Sequence, residues 1–375
     1  MIFNLADFIK NVEIEGQSGK YTYKLQYQKL KDTIKLWYET GHGRFEPNPI
    51  VLPQKIPLDE DDFTIFGLIQ AESDKSIRQS TFGFTNSSPF FVKLVLDYFN
   101  EIWRIPRGEW KCEITYWRSS LNEKLINTLK DFWNNFLKIK RDRITIRQGT
   151  TYRLSENSSS GYGVNSLRLN NKIFQNIVIQ LLNKTIKPMV EKQKDLARLY
   201  FRGLLSGDGS IVLRSNGSIA LVSIGFNPRS NELDHYLKVL KCLNVGVNEA
   251  PARKEGRRAI QINGWKNYYK ILQLTDCRPF LEDYQNHKFF TGFLNNQYVK
   301  SLNRLEQLSK LNDITYKDYV GLFGGGERNA NDCLLTLVKL GFLKRVKVKR
   351  LYRHYLTESG KGFLQVVELM QKWVK

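Results

Sequence analysis

Two carboxylates in matching company are the residues of this chain best suited to chemistry. Glu72 follows the run Ile65-Phe66-Gly67-Leu68-Ile69-Gln70-Ala71, and Asp208 follows Phe201-Arg202-Gly203-Leu204-Leu205-Ser206-Gly207. Each run has a glycine at its third place, a small residue four later and the acid directly after. Residues four apart share one helix face, so Gly67 with Ala71, and Gly203 with Gly207, make two bare stripes on which helix backbones can approach closely. If the stripes pack together, Glu72 and Asp208 end as neighbours. A carboxylate at a helix C-terminus meets the negative end of the dipole, and two such acids repel each other. Divalent cations reverse both penalties. Paired acids holding Mg2+ form an arrangement that cuts phosphodiesters, the ions activating water and stabilising the leaving oxygen. A single Asp208-Gly209 would read as an ordinary helix end, because glycine commonly terminates helices; a second copy in a matching context favours the chemical reading.

The elements around the two phrases repeat as well. After Glu72 the pattern predicts a strand over 80–85, a turn at Asn86-Ser87-Ser88-Pro89 and a helix over 90–99. After Asp208 it predicts strands over 211–214 and 218–224, then a helix through Leu233, Leu237 and Leu240. Leu167-Arg168-Leu169-Asn170 before an amphipathic helix is echoed by Ile260-Gln261-Ile262-Asn263 before another. Self-similarity of this kind decides architecture. The expected fold class is α+β, a tandem pseudo-repeat.

Composition agrees. The chain has 375 residues, enough for two or three domains with proper cores, and a 41% apolar fraction typical of globular proteins. A net charge of +21 calls for a polyanion, nucleic acid before acidic membrane. No apolar run reaches bilayer length, and no membrane partner is expected. Cys112, Cys242, Cys277 and Cys333 are too scattered for a disulfide framework or zinc knuckle, which suits reduced thiols in a cytoplasmic protein. The four histidines, His42, His235, His287 and His354, lack metal-ligand spacing, and Trp103, Trp110, Trp117 and Trp133 read as core or sheet aromatics.

The cations cluster. Lys138, Lys140, Arg141, Arg143 and Arg147 surround Ile144-Thr145-Ile146; Arg253, Lys254, Arg257 and Arg258 precede the strand at Ile260. Lys339, Lys344, Arg345, Lys347, Lys349, Arg350 and Arg353 occur with no acid between Thr336 and His354. Charge runs are usually solvated faces. Here they alternate with strand residues and aromatics, as expected of sheets laid along a duplex, where phosphate contacts give affinity and polar strand side chains read base edges.

The repeat resembles the LAGLIDADG homing endonucleases in their single-chain, two-motif form, over roughly Leu58 to Leu294. The resemblance implies a pseudo-twofold tandem αββαββα core, motif helices packed at its centre, and saddle-like antiparallel sheets in the DNA major groove. It implies Mg2+ held by Glu72 and Asp208, helix packing through Gly67, Ala71, Gly203 and Gly207, and staggered cuts across the minor groove. The chain departs from the family pattern where Ser73 replaces a closing glycine and where Gln70 and Ser206 replace the motif's first aspartate. Family members also place a basic or polar sheet residue near the scissile phosphate, for which Lys254, Arg257, Gln261 and Arg168 are the candidates.

From Ser301 onward three helices, a Gly324-Gly325-Gly326 turn and a basic hairpin resemble a winged helix-turn-helix, whose third helix would enter a major groove while the hairpin touches the backbone. The expected domains are an N-terminal extension (1–57), two repeats (58–190 and 191–298) and the winged-helix module (299–375). Two classes of function follow. One is a monomeric, site-specific double-strand DNA endonuclease, encoded by an intron or free-standing, nucleoid-associated or organellar. The other is a non-cleaving binder, a transcriptional regulator or an RNA maturase acting on structured RNA. The retained acid pair favours the nuclease.

Overall fold

The computed structural model describes residues 1–16, 21–40, 48–117, 120–149, 161–227, 231–249, 258–296, 304–349 and 351–374. The chain is mixed α+β and forms two compact units, Met1–Asp208 and Gly209–Lys375. No described helix is long and apolar enough to cross a membrane.

The first unit opens with β1 (Ile2–Asn4), α1 (Leu5–Phe8), β2 (Glu13–Glu15), β3 (Thr22–Lys24), β4 (Gln26–Lys29), β5 (Thr33–Trp37), β6 (Ile50–Pro53) and β7 (Lys55–Pro57). They pair antiparallel as β1-β7, β2-β3 and β4-β5-β6. Next come α2 (Asp62–Glu72), β8 (Phe82–Asn86), α3 (Pro89–Glu101), β9 (Lys111–Tyr116), α4 (Glu123–Leu137), β10 (Ile144–Gln148), β11 (Val164–Leu169), α5 (Lys172–Leu181), α6 (Lys187–Val190) and α7 (Lys194–Asp208). The starts of α3 and α5 are written locally: the Ser88 hydroxyl accepts from the Phe91 N–H, and the Asn171 side chain from the Phe174 N–H. The sheet runs β10-β9-β11-β8, with its inner face sealed by Phe82, Phe99, Trp103, Trp110 and Phe174 at ring spacings of 5.0–6.2 Å.

The second unit contains β12 (Gly209–Leu213), β13 (Ile219–Phe226), α8 (Glu232–Cys242), β14 (Asn248–Glu249), β15 (Arg258–Ile262), α9 (Trp265–Leu274) and α10 (Asp283–Leu294). A helical stretch at 304–308, α11 (Tyr316–Phe323), α12 (Glu327–Lys339), β16 (Leu343–Val348), β17 (Leu351–Leu356) and α13 (Glu358–Val374) follow. Its main sheet runs β12-β13-β15-β14, antiparallel throughout.

The two sheets share a register. Ile224 lies opposite Gly209 and Ile260; Phe84 lies opposite Ser73 and Leu167. The echoed tetrapeptides at Leu167 and Ile260 therefore occupy the same place in each sheet. The first unit nevertheless departs from the expected αββαββα order. Its first hairpin strand shrinks to the bridge between Ser73 and Phe84, and β10 joins β9 in parallel, not antiparallel. The cause is α4, since a parallel neighbour needs a crossover and this helix supplies it.

The tail packs against α9 and α10. Trp265 and Tyr269 of α9 meet Phe342 and Phe363, with ring centroids 5.0–6.2 Å apart, and α13 packs on α10. Within it, Thr315 and Asp318 form a capping box on α11, Gly324 and Gly325 turn the chain at positive φ, and Ile314 bridges to His354. The ring of the buried His354 contacts the Ile314 carbonyl at 3.1 Å.

Candidate active site

The glycine stripes meet inside the first unit. A Cβ placed on Gly67 would overlap the Tyr200 carbonyl, and one on Gly203 would overlap the Thr64 carbonyl. Thr64 and Tyr200 each stand three residues before their own glycine, so α2 and α7 contact one another through equivalent positions. Further along the seam, a Cβ on Gly207 would lie 2.5 Å from the Ala71 Cβ and 3.0 Å from the Glu72 Cγ. Glu72 thus packs against the residue directly before Asp208, and both acids are the last residues of their helices.

Neither helix has a basic residue in its last turn to offset the dipole. The Asn86 Nδ2 donates to Glu72 Oε1 at 2.8 Å. Burial pushes the Glu72 carboxyl up to about 7, against the opposing pull of Lys75 and the Asn86 hydrogen bond. Asp208 is half-buried and engaged in an interaction of its own. Ser73 leaves α2 in extended conformation (φ −90°, ψ 160°), and Gly209 enters β12 directly. Neither helix end needs a left-handed residue, which is why serine serves at position 73.

The donor set suits a divalent cation. Two hard carboxylate oxygen donors stand at the ends of touching helices, where charge on Glu72 is disfavoured until a cation offsets it. Among the described residues no group of three or more His, Cys, Asp or Glu could hold a metal by side chains alone. An ion held by Glu72 and Asp208 would need further ligands from outside the protein's side chains, such as the waters that Mg2+ commonly keeps.

Gln261 and Arg168 hold equivalent places. Gln261 pairs with Ser223, which pairs with Ser210, two residues after Asp208. Arg168 pairs with Gly83, whose carbonyl accepts from the N–H of Asp74, two residues after Glu72. Arg143 directly precedes β10, Arg147 lies within it and Arg258 begins β15. Lys344, Lys347 and Lys349 are exposed on the hairpin, whereas Arg345 lies 3.5 Å over the Tyr352 ring. Arg253, Lys254, Arg257 and Arg350 lie outside the described residues. Sequence reasoning missed Asn86, read only as a turn residue, and Lys75, whose single signal is its position three residues after Glu72.

No family model matches the chain, and no curated protein matches it. Among solved structures it is similar to the N-terminal LAGLIDADG domain of DUF199/WhiA, at 12% identity and TM-score 0.32, covering 59% of this chain and 84% of that one. It is also similar to mesophilic variants of the homing endonuclease I-DmoI, at 10% identity and TM-score 0.33, covering 59% and 97%. A third is I-DmoI in complex with DNA and Ca, at 11% identity and TM-score 0.30, covering 65% and 97%.

Proposed function

We propose that the chain is a site-specific double-strand DNA endonuclease that depends on a divalent cation, with Glu72 and Asp208 as its ligands. The observation that carries this reading is the glycine-to-carbonyl seam between α2 and α7, which ends with Glu72 against Gly207. A fold has no structural need for two carboxylates at paired helix C-termini. When bound, the cation would activate water and stabilise the leaving oxygen. Glu72 and Asp208 would hold it; Asn86 orients one oxygen of Glu72 and leaves the other for the ion. The exposed basic residues of the hairpin would supply sequence-independent affinity. The tandem core with a winged-helix tail is the architecture we assign to this activity. The equivalent registers of the two sheets and the helix, bridge and hairpin order of the tail support it.

A second reading, a DNA-binding regulator that does not cut, draws on the same acid. Burial raises the Glu72 carboxyl to about 7, so near neutrality the acid can be carried partly protonated without a metal, while the Asn86 hydrogen bond satisfies it when charged. Selection of cut sites from a randomised duplex library, with and without Mg2+, separates the two. Magnesium-dependent cleavage at one sequence supports the nuclease; enrichment by binding with no cleavage under any condition refutes it.

Metal affinity should depend on pH with a definite sign. Below about 7 Glu72 carries a proton that the cation must displace; above it the carboxylate is already free. Apparent Mg2+ affinity is expected to fall roughly tenfold per pH unit as the pH drops below that value, and to level off above it. Calorimetric titrations at several pH values measure this, and an affinity constant through neutrality contradicts the ligand role of Glu72.

The hairpin cations have their own signature. Deleting the tail would strip Phe342 and Phe363 from Trp265 and Tyr269 and expose those rings, so neutralisation is the cleaner test. Changing Lys344, Lys347 and Lys349 together to glutamine should reduce the slope of log affinity against log salt by about 2 to 3 units without lowering the melting temperature. An unchanged slope means that the hairpin does not touch DNA.

A further inference from the structure

We infer that Glu113 is a specificity residue, which holds Arg147 and Arg168 for base edges and keeps them off stray phosphates. The inference rests on the duplex-DNA reading of the chain and not on cleavage. Glu113 lies on β9 between the buried residues Cys112 and Ile114, so its side chain stands on the solvent face of the first sheet. The register places Thr145 of β10 and Ser166 of β11 beside it. Arg147 and Arg168 lie on the same face, as do Lys111 and Thr115. Glu113 is the sole carboxylate in the strands β8, β9, β10 and β11.

Its two oxygens are divided between the two arginines. Oε1 is 3.5 Å from Arg147 Nη2, and Oε2 is 3.2 Å from Arg168 Nη2. The carboxylate side chain is 25% exposed, while those of the arginines are 63% and 45% exposed. The acid therefore lies beneath two guanidinium groups that still look outward. Each guanidinium has five N–H donors, and a carboxylate occupies at most two of them. The remaining donors match the paired O6 and N7 acceptors of guanine in a major groove. The carboxylate also lowers the net charge of the trio from +2 to +1, which weakens its pull on phosphates of any sequence. Specificity is the ratio of the two affinities, and this arrangement raises it from both sides.

A simpler role is available: Arg168 sits directly opposite Lys111, and Glu113 offsets that like-charge pair. The two roles separate by experiment. Duplexes enriched by the wild-type chain from a randomised pool in EDTA, where no metal-dependent cleavage occurs, are compared with a scrambled duplex of equal length. The variant Glu113→Gln is expected to bind the scrambled duplex about tenfold more tightly, with a salt slope steeper by about 1. Its ratio of selected to scrambled affinity should fall at least tenfold, and reselection should lose guanine from the positions that the first sheet covers. On a background of Arg147→Gln and Arg168→Gln, the same change should leave the ratio unaltered. A Glu113→Gln protein that keeps the wild-type ratio overturns the inference. So does one that melts earlier and weakens both duplexes equally, because that is the signature of the structural role. A wild-type chain that binds but does not cut refutes the nuclease alone, and one that discriminates between no duplexes removes both.

Discussion

Changing Asp208 to asparagine should reduce DNA cleavage by at least about a thousandfold, roughly 4 kcal/mol of transition-state stabilisation, and change duplex affinity by less than about threefold. The amide is isosteric with the carboxylate, so α7 and its seam with α2 keep their packing. What disappears is the negative charge that would hold a cation at the shared helix end. Binding draws instead on the basic strands and hairpin, remote in sequence from this residue. Single-turnover cleavage of the selected duplex in Mg2+, beside anisotropy on the same duplex in EDTA, measures both quantities. Full cleavage by the variant removes Asp208 from the mechanism. Loss of binding in parallel with cleavage would make it a folding residue. Glu72→Gln should behave likewise, with one difference: its amide can still accept from Asn86 Nδ2, so the variant keeps that contact while losing the ligand.

The second large effect is on stability. Gly203→Ala adds one methyl group where the Thr64 backbone carbonyl already stands, and Gly67→Ala does the same against Tyr200. Backbone cannot rotate away as a side chain can, so α2 and α7 must separate along their length. Overpacking of a well-filled core costs about 1–3 kcal/mol, and a backbone clash at the centre of the tightest helix pair belongs at or beyond the upper end. Marginal stability is only about 5–15 kcal/mol for a domain, so either variant should lose a large part of it, and the pair together should fail to fold. Urea denaturation of each single variant tests this. A midpoint within experimental error of the wild type would show that the helices do not meet through these glycines. Ala71→Gly, which only removes a methyl from the seam, should cost well under half as much.

The paired helices were legible in the sequence because a glycine-plus-four spacing is a statement about helix geometry, valid wherever the helix packs. The matched registers were legible in part for the same reason: Leu167-Arg168-Leu169-Asn170 and Ile260-Gln261-Ile262-Asn263 share an alternation, and alternation fixes which face is buried. Local pattern says nothing about which strands pair. The parallel contact between β9 and β10 depends on where α4 carries the chain, and the loss of one hairpin strand after Glu72 depends on what β8 accepts as a neighbour. Asn86 and Glu113 escaped notice for a different reason. A single polar residue in a strand has no periodicity, and its meaning comes from partners that are distant in sequence, such as Arg168 for Glu113. The tail read as a module of its own because its element order is self-contained, although its aromatic core is completed by α9.

That aromatic seam restricts how the protein could be re-engineered. Phe342 begins the approach to β16, and Trp265 begins α9 immediately after β15. A graft of the C-terminal segment onto another scaffold would have to carry Trp265 and Tyr269 with it, or supply substitutes. Conversely, a load on the hairpin would be passed to α9 through the tilted and edge-on rings of Phe342, Trp265 and Tyr269, so the basic tip and the helix that follows β15 should answer a bound duplex together.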